Sequence, residues 1–275
     1  MISRVLSTTI KYLTLVVASI VTLLPLSVVV IASLKTSTEY ARTGPFDLPA
    51  NWFNFENFVT AIVEGRMLTG LINTTFILVV SLVGTILIGT MTAYAIDRFD
   101  FRFKKVVLGA FLVATLVPAV TTQVATFQIV NNLELYNTIW APIVLFLGTD
   151  ILSIYIFVQF MSSISKSLDE AAMIDGANRW TIYWKVILPN LKPAIATVII
   201  IRGVAIYNEF YIPFLYMPSE KLDTLSTSLF RFTGPYGGQW EIIAAGTIVI
   251  IIPTLIIFLA LQKYIYNGFT AGATR

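Results

Sequence analysis

The stretch Ser167-Leu168-Asp169-Glu170-Ala171-Ala172-Met173-Ile174-Asp175-Gly176, followed by Val186-Ile187-Leu188-Pro189, is the polar interruption around which the chain is organised. Apolar runs of membrane length flank it, 139–164 before and 194–217 after. A helix crosses the bilayer core with about 20 mainly apolar residues, so a short polar segment between two such runs lies outside the membrane. Further runs at 13–34, 71–96, 106–130 and 242–262 bring the expected crossings to six. A membrane barrel would alternate apolar and polar residues in segments of about 10; these runs are continuously apolar. The expected class is an all-α membrane protein.

Composition agrees. Of 275 residues, 57% are hydrophobic and 12% charged, where a soluble domain carries about 25% charged residues. Mean hydropathy is +0.82. The first apolar run, about 22 residues, exceeds the 7–15 of a secretory signal core and is expected to be a retained helix. The chain has no Cys and no His. That excludes disulfides, thiolate nucleophiles, haem or zinc ligation by these residues, and a histidine proton relay. No convergent nucleophile, base or metal cluster stands out.

Cytoplasmic loops hold the excess of Lys and Arg. One side carries Arg4, Lys11, Arg98, Arg102, Lys104, Lys105, Lys166, Arg179, Lys185, Lys192, Lys263 and Arg275; the other carries Lys35, Arg42, Arg66, Lys221 and Arg231, with Arg202 inside a run. This places both termini in the cytoplasm. The sequence pI near 9.0 therefore reports topology, and no nucleic-acid partner is expected. The chain divides into 1–70, a first crossing with an external loop, and 71–275, a five-helix core holding the cytoplasmic loop 165–193. The loop 35–70 contains Gly44-Pro45, Pro49 and Asn51-Trp52-Phe53-Asn54-Phe55, which predict an ordered cap with a short amphipathic helix.

Within the cytoplasmic loop, Ser167 and Glu170 have the spacing of a capping box, and Asp169 adds negative charge to the first turn. Gly176 suits the left-handed position just past a helix end. One helix is expected at 168–175. Asn178 is placed to cap a second, roughly 179–188, which Pro189 would end. Ala171 and Ala172 give the first helix a small-residue surface that a partner can approach closely.

The run Glu170-Ala171-Ala172-Met173-Ile174-Asp175-Gly176-Ala177 through Ile187-Leu188-Pro189, between the fourth and fifth of six crossings, resembles the cytoplasmic signature of ABC importer permeases. Other segments are similar to the maltose-type, multiple-sugar branch and to its smaller permease subunit: Asn73-Thr74, Ala93-Tyr94-Ala95-Ile96-Asp97-Arg98-Phe99, Leu135-Tyr136-Asn137-Thr138, Tyr207-Asn208-Glu209-Phe210 and the glycine-rich Asn267-Gly268-Phe269-Thr270-Ala271-Gly272-Ala273. The resemblance covers 71–275 well and the first crossing loosely. Departures are Tyr207 in place of the branch's Trp, Asp150 within a crossing, and the terminal Arg275.

The resemblance implies that Glu170, Ala171, Ala172, Asp175, Gly176, Leu188 and Pro189 form coupling helices seated in a groove of an ATPase subunit, Glu170 meeting a basic residue there. It implies a second homologous permease, two ATP-binding subunits and an extracytoplasmic solute-binding protein, within membrane lipid. The loop 218–240, through Gly234, Pro235, Tyr236 and Gly237, resembles the one that reaches the binding protein. No G-x-x-x-x-G-K-[ST] occurs, so ATP and magnesium are expected on the partner ATPase.

Charged residues inside crossings face protein or a watery cavity, since each costs roughly 3 kcal/mol at mid-bilayer. Asp150, Arg202 and Glu209 are such residues. Arg202 and Glu209 share a helix stripe but stand about 10 Å apart, too far to pair; Asp150 with Arg202 across helices is open, as is a pair from another chain. They read as a structural network or as lining for a polyhydroxylated solute. Tyr207, Asn208, Glu209 and Tyr211 are the better path candidates, aromatic faces and polar groups being what sugar sites use. Pro118 and Pro253 are expected to kink their helices at most. A proton-coupled transporter using Asp150 or Glu209, or a permease for a non-sugar solute, stays open.

Overall fold

The computed structural model describes residues 2–148, 150–234 and 237–273. The chain is helical nearly throughout: α1 (Ile2–Ser33), α2 (Ser37–Arg42), α3 (Glu56–Val63), α4 (Met67–Arg98), α5 (Lys104–Leu116), α6 (Ala119–Asn132), α7 (Trp140–Gly148), α8 (Ile151–Ser162), α9 (Ser167–Ile174), α10 (Arg179–Ile182), a π turn (Tyr183–Ile187), α11 (Leu188–Asn190), α12 (Lys192–Tyr207), α13 (Tyr211–Tyr216), α14 (Leu225–Phe230) and α15 (Trp240–Ala273). Thr233–Gly234 and Gly237–Gly238 form a two-residue antiparallel ladder. The all-α class is therefore correct.

Two helices, Thr8–Ser33 and Met67–Arg98, are each long and apolar enough to cross a bilayer unaided. In α1 the polar side chains bond back onto their own helix: the hydroxyls of Thr14, Ser19, Thr22 and Ser27 donate to the carbonyls of Ile10, Leu15, Ala18 and Leu24, respectively, at 2.7–2.9 Å. In hydrocarbon no water serves these groups, so such self-satisfaction is required.

The remaining apolar runs are broken. α5 and α6 bend by 105° about Val117–Pro118, and α7 and α8 by 44°. The run at 194–217 separates into α12 and α13 at Asn208–Phe210. Pro118 thus does more than kink: it opens α6 with extended geometry, φ −62 and ψ 130. Pro253 is carried inside α15. At the second break Asp150 caps α8, accepting from the Ser153 N–H at 3.3 Å. Counting each bent pair as one crossing, a count that includes Arg179–Asn190 with Lys192–Tyr207, gives up to five; Trp240–Ile256 is a further apolar helix.

Contacts divide the chain into two units, Met1–Leu68 with Thr227–Leu259, and Thr69–Ser226 with Ala260–Arg275. In the first, the end of α1 is closed by side-chain amides: Asn57 donates to the carbonyls of Ser33 and Lys35, both at 2.8 Å, and Asn54 to Leu34 at 3.2 Å. These carbonyls have no partner within the helix. Buried Lys35 donates to Thr43 and to the Gly44 carbonyl. Thr36 and Glu39 make a complete capping box on α2.

In the second unit α4 is the axis. A Cβ at Gly89 would stand 2.8 Å from the Phe157 ring, so glycine is what lets α4 approach α8. The main core gathers Ala93, Tyr94, Phe157, Met161, Ile182, Tyr183, Ile187 and Leu191 at one end of these helices. At the other end Asn73 donates to the carbonyls of Lys221 and Asp223, at 3.1 and 2.9 Å, and the Thr74 hydroxyl accepts from the Leu225 N–H at 3.0 Å. Asn137, at φ +58, donates its N–H to Tyr216 at 2.8 Å and accepts from the Ser219 N–H at 3.1 Å.

Candidate functional site

The hairpin of α9 and α10 is built by local chemistry, though not the box expected from Ser167 and Glu170. The N-cap of α9 is Lys166, with no side-chain cap bond. Ser167 lies inside the helix, its hydroxyl 2.7 Å from that of Ser165. With the start one residue earlier, Asp169 takes the third helical position and Glu170 the fourth, out of reach of the N-cap amide. Asp169 turns inward and is buried. Glu170 is exposed, and its carboxylate bonds to none of the described residues.

The end of α9 follows expectation. Gly176 is left-handed at φ +82. Its N–H donates to Met173 at 3.0 Å and that of Ala177 to Ala172 at 2.9 Å, the paired bonds of a glycine-terminated helix. Asn178 caps α10, accepting from the Thr181 N–H at 2.8 Å. Pro189 does not end the second helix, which continues through a π turn to Asn190 before bending by 69° into α12. A wider turn upstream, closed by Leu188 N–H onto Tyr183, relieves the clash between a proline ring and the carbonyl four residues back. Asn178→Ala is expected to cost about 1 kcal/mol locally. Amide exchange at Thr181 and Ile182 should then speed up roughly fivefold, with unchanged exchange arguing against the cap.

A row on α4 holds the hairpin in place. Arg98 Nε stands 2.7 Å from Asp169 Oδ2, its Nη1 2.5 Å from Asp97 Oδ2, and its Nη2 donates to the Ile164 carbonyl at 2.9 Å. One turn back the Tyr94 hydroxyl donates to the Arg179 carbonyl at 3.4 Å, and the Arg179 guanidinium lies 5.5 Å from the Phe99 ring centre. Another turn back, Thr90 and Tyr183 share a hydrogen bond of 2.8 Å. Burial pushes the Tyr183 phenol up from its ordinary range, against the smaller opposing effect of the Thr90 bond, so it stays protonated at physiological pH.

What the hairpin presents outward is a set of apolar side chains beside two acidic ones, Glu170 and Asp175. Ile174 is 86% exposed and Trp180 58%, beside Leu168, Met173 and Trp184. Glu170, Ala171, Asp175, Gly176 and Pro189 are exposed too, whereas Ala172 and Leu188 pack partly against the core. The small-residue surface is thus Ala171 and Gly176, with Ala172 turned inward. Exposed apolar patches of this kind mark interaction surfaces. The tryptophans were not among the sequence candidates, although Trp180 and Trp184 at a four-residue spacing share one helix face.

The other candidates lie where α12 breaks. Glu209 is a cap: its carboxylate accepts from the Tyr211 and Ile212 N–H groups at 2.9 and 3.2 Å. Asn208 is exposed and donates back to Val204 at 2.9 Å. Tyr211 is half exposed and its hydroxyl meets the Gln123 amide of α6. Tyr207 and Glu209 line a cleft with Thr74, Ile77, Phe146 and Thr224 whose free volume, about 10 Å³, matches one water and excludes a sugar ring. Asp150 and Arg202 pair across helices, Oδ2 to Nε at 3.0 Å, and Arg202 also donates to the Phe146 carbonyl at 3.2 Å. Gly234 and Gly237 face each other in the small ladder; Pro235 and Tyr236, like Arg275, lie outside the described residues.

The chain as a whole resembles known transport permeases. An arabinooligosaccharides transport system permease of Halalkalibacterium halodurans is 29% identical over 91% of this chain and 90% of its own length. A melibiose/raffinose/stachyose import permease of Bacillus subtilis is 30% identical over 92% and 91%. The fold matches, at a TM-score of 0.82 and 21% identity over 95% of this chain and 97% of the other, a chain in the crystal structure of a bacterial ABC transporter that imports the acidic polysaccharide alginate. Residues 85–270, which include the α9–α10 hairpin and its anchor on α4, match the family described as binding-protein-dependent transport system inner membrane component. The chain belongs to that family.

Proposed function

We propose that the chain is one permease subunit of a bacterial importer that carries an oligosaccharide inward by ATP-driven alternating access. The observation that carries this reading is the α9–α10 hairpin: a segment anchored on α4 whose exposed face offers Glu170, Ala171, Gly176 and a tryptophan pair to a partner. That partner is an ATP-binding subunit, two per transporter, which holds ATP and magnesium; this chain does not hydrolyse ATP itself. A second, homologous permease completes the membrane path. The relatives' names, which speak of arabinooligosaccharides and of melibiose, raffinose and stachyose, support carbohydrate as the cargo class.

In this reading six crossings, α1, α4, α5–α6, α7–α8, α12–α13 and α15, sit in the cytoplasmic membrane with both termini inside, as the Lys and Arg excess favours. The segment 1–70 supplies a first crossing and an external cap, and 71–275 the core. An extracytoplasmic solute-binding protein delivers cargo to the outer loops, the 234–237 turn among them. One structure of an alginate transporter, similar in fold at a TM-score of 0.59, includes an alginate pentasaccharide-bound periplasmic protein. ATP closes the motor subunits, the hairpins follow, and the permeases open outward; hydrolysis resets them. Tyr207, Asn208, Glu209 and Tyr211 border the path, Glu209 by fixing the backbone break and Tyr211 by facing cargo.

A proton-coupled mechanism is the less suited alternative. Asp150 is paired with Arg202, and the Glu209 carboxylate already accepts two N–H groups. The deciding experiment is co-purification from native membranes, followed by uptake of radiolabelled arabinotriose, raffinose and maltotriose before and after ATP depletion. An ATPase and a sugar-binding protein are expected to co-purify, with at least one sugar taken up only while ATP is present. Uptake that survives ATP depletion would overturn the reading.

A further inference from the structure

Arg98 makes contacts that anchoring a loop does not call for. Its guanidinium is nearly sealed from solvent, with 3% of the side chain exposed, and Asp169 opposite it has 4%. Three nitrogens reach three separate places: the last turn of its own helix at Asp97, the carbonyl of Ile164 just after α8, and Asp169 in the first turn of α9. Buried ion pairs are weak devices for stability, since apolar pairs of similar volume serve as well, and their best-attested use is to fix geometry. A planar fork fixes the relative orientation of its partners, which a single ammonium does not.

The contacts that accompany it run along one face of α4. Thr90, Tyr94 and Arg98 recur every four residues, the spacing of one helical stripe. Thr90 and Tyr94 engage the second arm of the hairpin at Tyr183 and Arg179, and Arg98 engages the first arm at Asp169. Both arms are therefore bound to the last turns of a single 32-residue helix. Among the described residues, α4 is one of two helices long and apolar enough to cross unaided, and it runs unbroken where α5–α6 and α7–α8 are interrupted.

We infer that Arg98 is a positioning residue, a latch that makes the hairpin and α4 move as one body. A displacement of the hairpin is then delivered to the whole length of α4 and is not absorbed at the joint. This rests on the proposal that the hairpin seats the ATPase subunit.

The chain has no cysteine, so spin labels go directly onto Val79→Cys and Lys166→Cys in the assembled transporter. Val79 is exposed on α4, roughly 28 Å along the helix from Arg98, and Lys166 precedes the face offered to the partner. With the native pair, the label distance is expected to agree within about 2 Å between the nucleotide-free and the ADP-vanadate-trapped complex. In the Arg98→Met/Asp169→Leu background, chosen to spare the fold, the trapped state should shift or broaden by more than about 5 Å. Asp169→Asn, which keeps the shape and removes the charge, serves if that pair does not assemble. A shift of that size with the native pair intact, or variants that behave like the native protein in both states, overturns the latch alone. Retention of the ATPase subunit by Glu170→Lys takes down the docking proposal, and the latch with it.

Discussion

Glu170→Lys abolishes ATP-dependent uptake while the chain still inserts and accumulates at its normal level; that is the expected result, and Gly176→Asp should do the same. Neither loss would come from the fold of this subunit. Glu170 is exposed and bonded to none of the described residues, and substitutions at such positions stay within about 0.5 kcal/mol. Gly176 is left-handed, so an Asp there pays a strain of roughly 1 kcal/mol, but a Cβ at this position meets nothing within 4 Å. What both changes disturb is the surface proposed to dock the ATPase subunit, one by reversing charge and the other by adding bulk and charge where backbone is bare. Uptake in membrane vesicles, normalised to immunoblot signal, gives the comparison. Normal uptake by both variants contradicts a docking role for the hairpin.

Arg202→Ala should instead damage the subunit itself. Asp150 is buried, 3.0 Å from Arg202, at the break between two apolar helices. Removing one member of a buried pair typically costs 3–5 kcal/mol because the other is stranded. The purified subunit should show a markedly lower melting temperature and a smaller folded yield. Arg202→Met/Asp150→Leu should regain most of both, since no charge is then left behind. If Arg202→Ala melts like the native chain, Asp150 has another source of compensation.

These two cases show what the sequence makes visible. Charges inside apolar runs announce themselves, because hydrocarbon tolerates them only when paired or wet; Asp150 and Arg202 were legible for that reason, and Asn178 and Gly176 because caps are local. The helix breaks were not. An apolar run averages over a single Pro118 or over Asn208 and Glu209, and hydrophobicity does not register that Glu209 prefers two backbone amides to the path. The same pattern of a hydroxyl residue three before a glutamate occurs at Thr36–Glu39 and at Ser167–Glu170. It forms a complete box only at the first. At the second, Arg98 draws Asp169 inward and the helix starts a residue early, a tertiary contact that no local pattern carries. Trp180 and Trp184 were missed for the opposite reason: their spacing marked a shared face, but the structure was needed to show that this face is bare.

The interruption between α12 and α13 has one more consequence. Where an α-helix stops short within a bilayer, amides and carbonyls that would have bonded to the next turn are released. Glu209 takes up two of the amides, Asn208 donates back to Val204, and the neighbouring cleft has room for a single solvent molecule. The turn at 208–210 is therefore pegged from within: one carboxylate bridges two amides of the next helix and so sets where α13 begins.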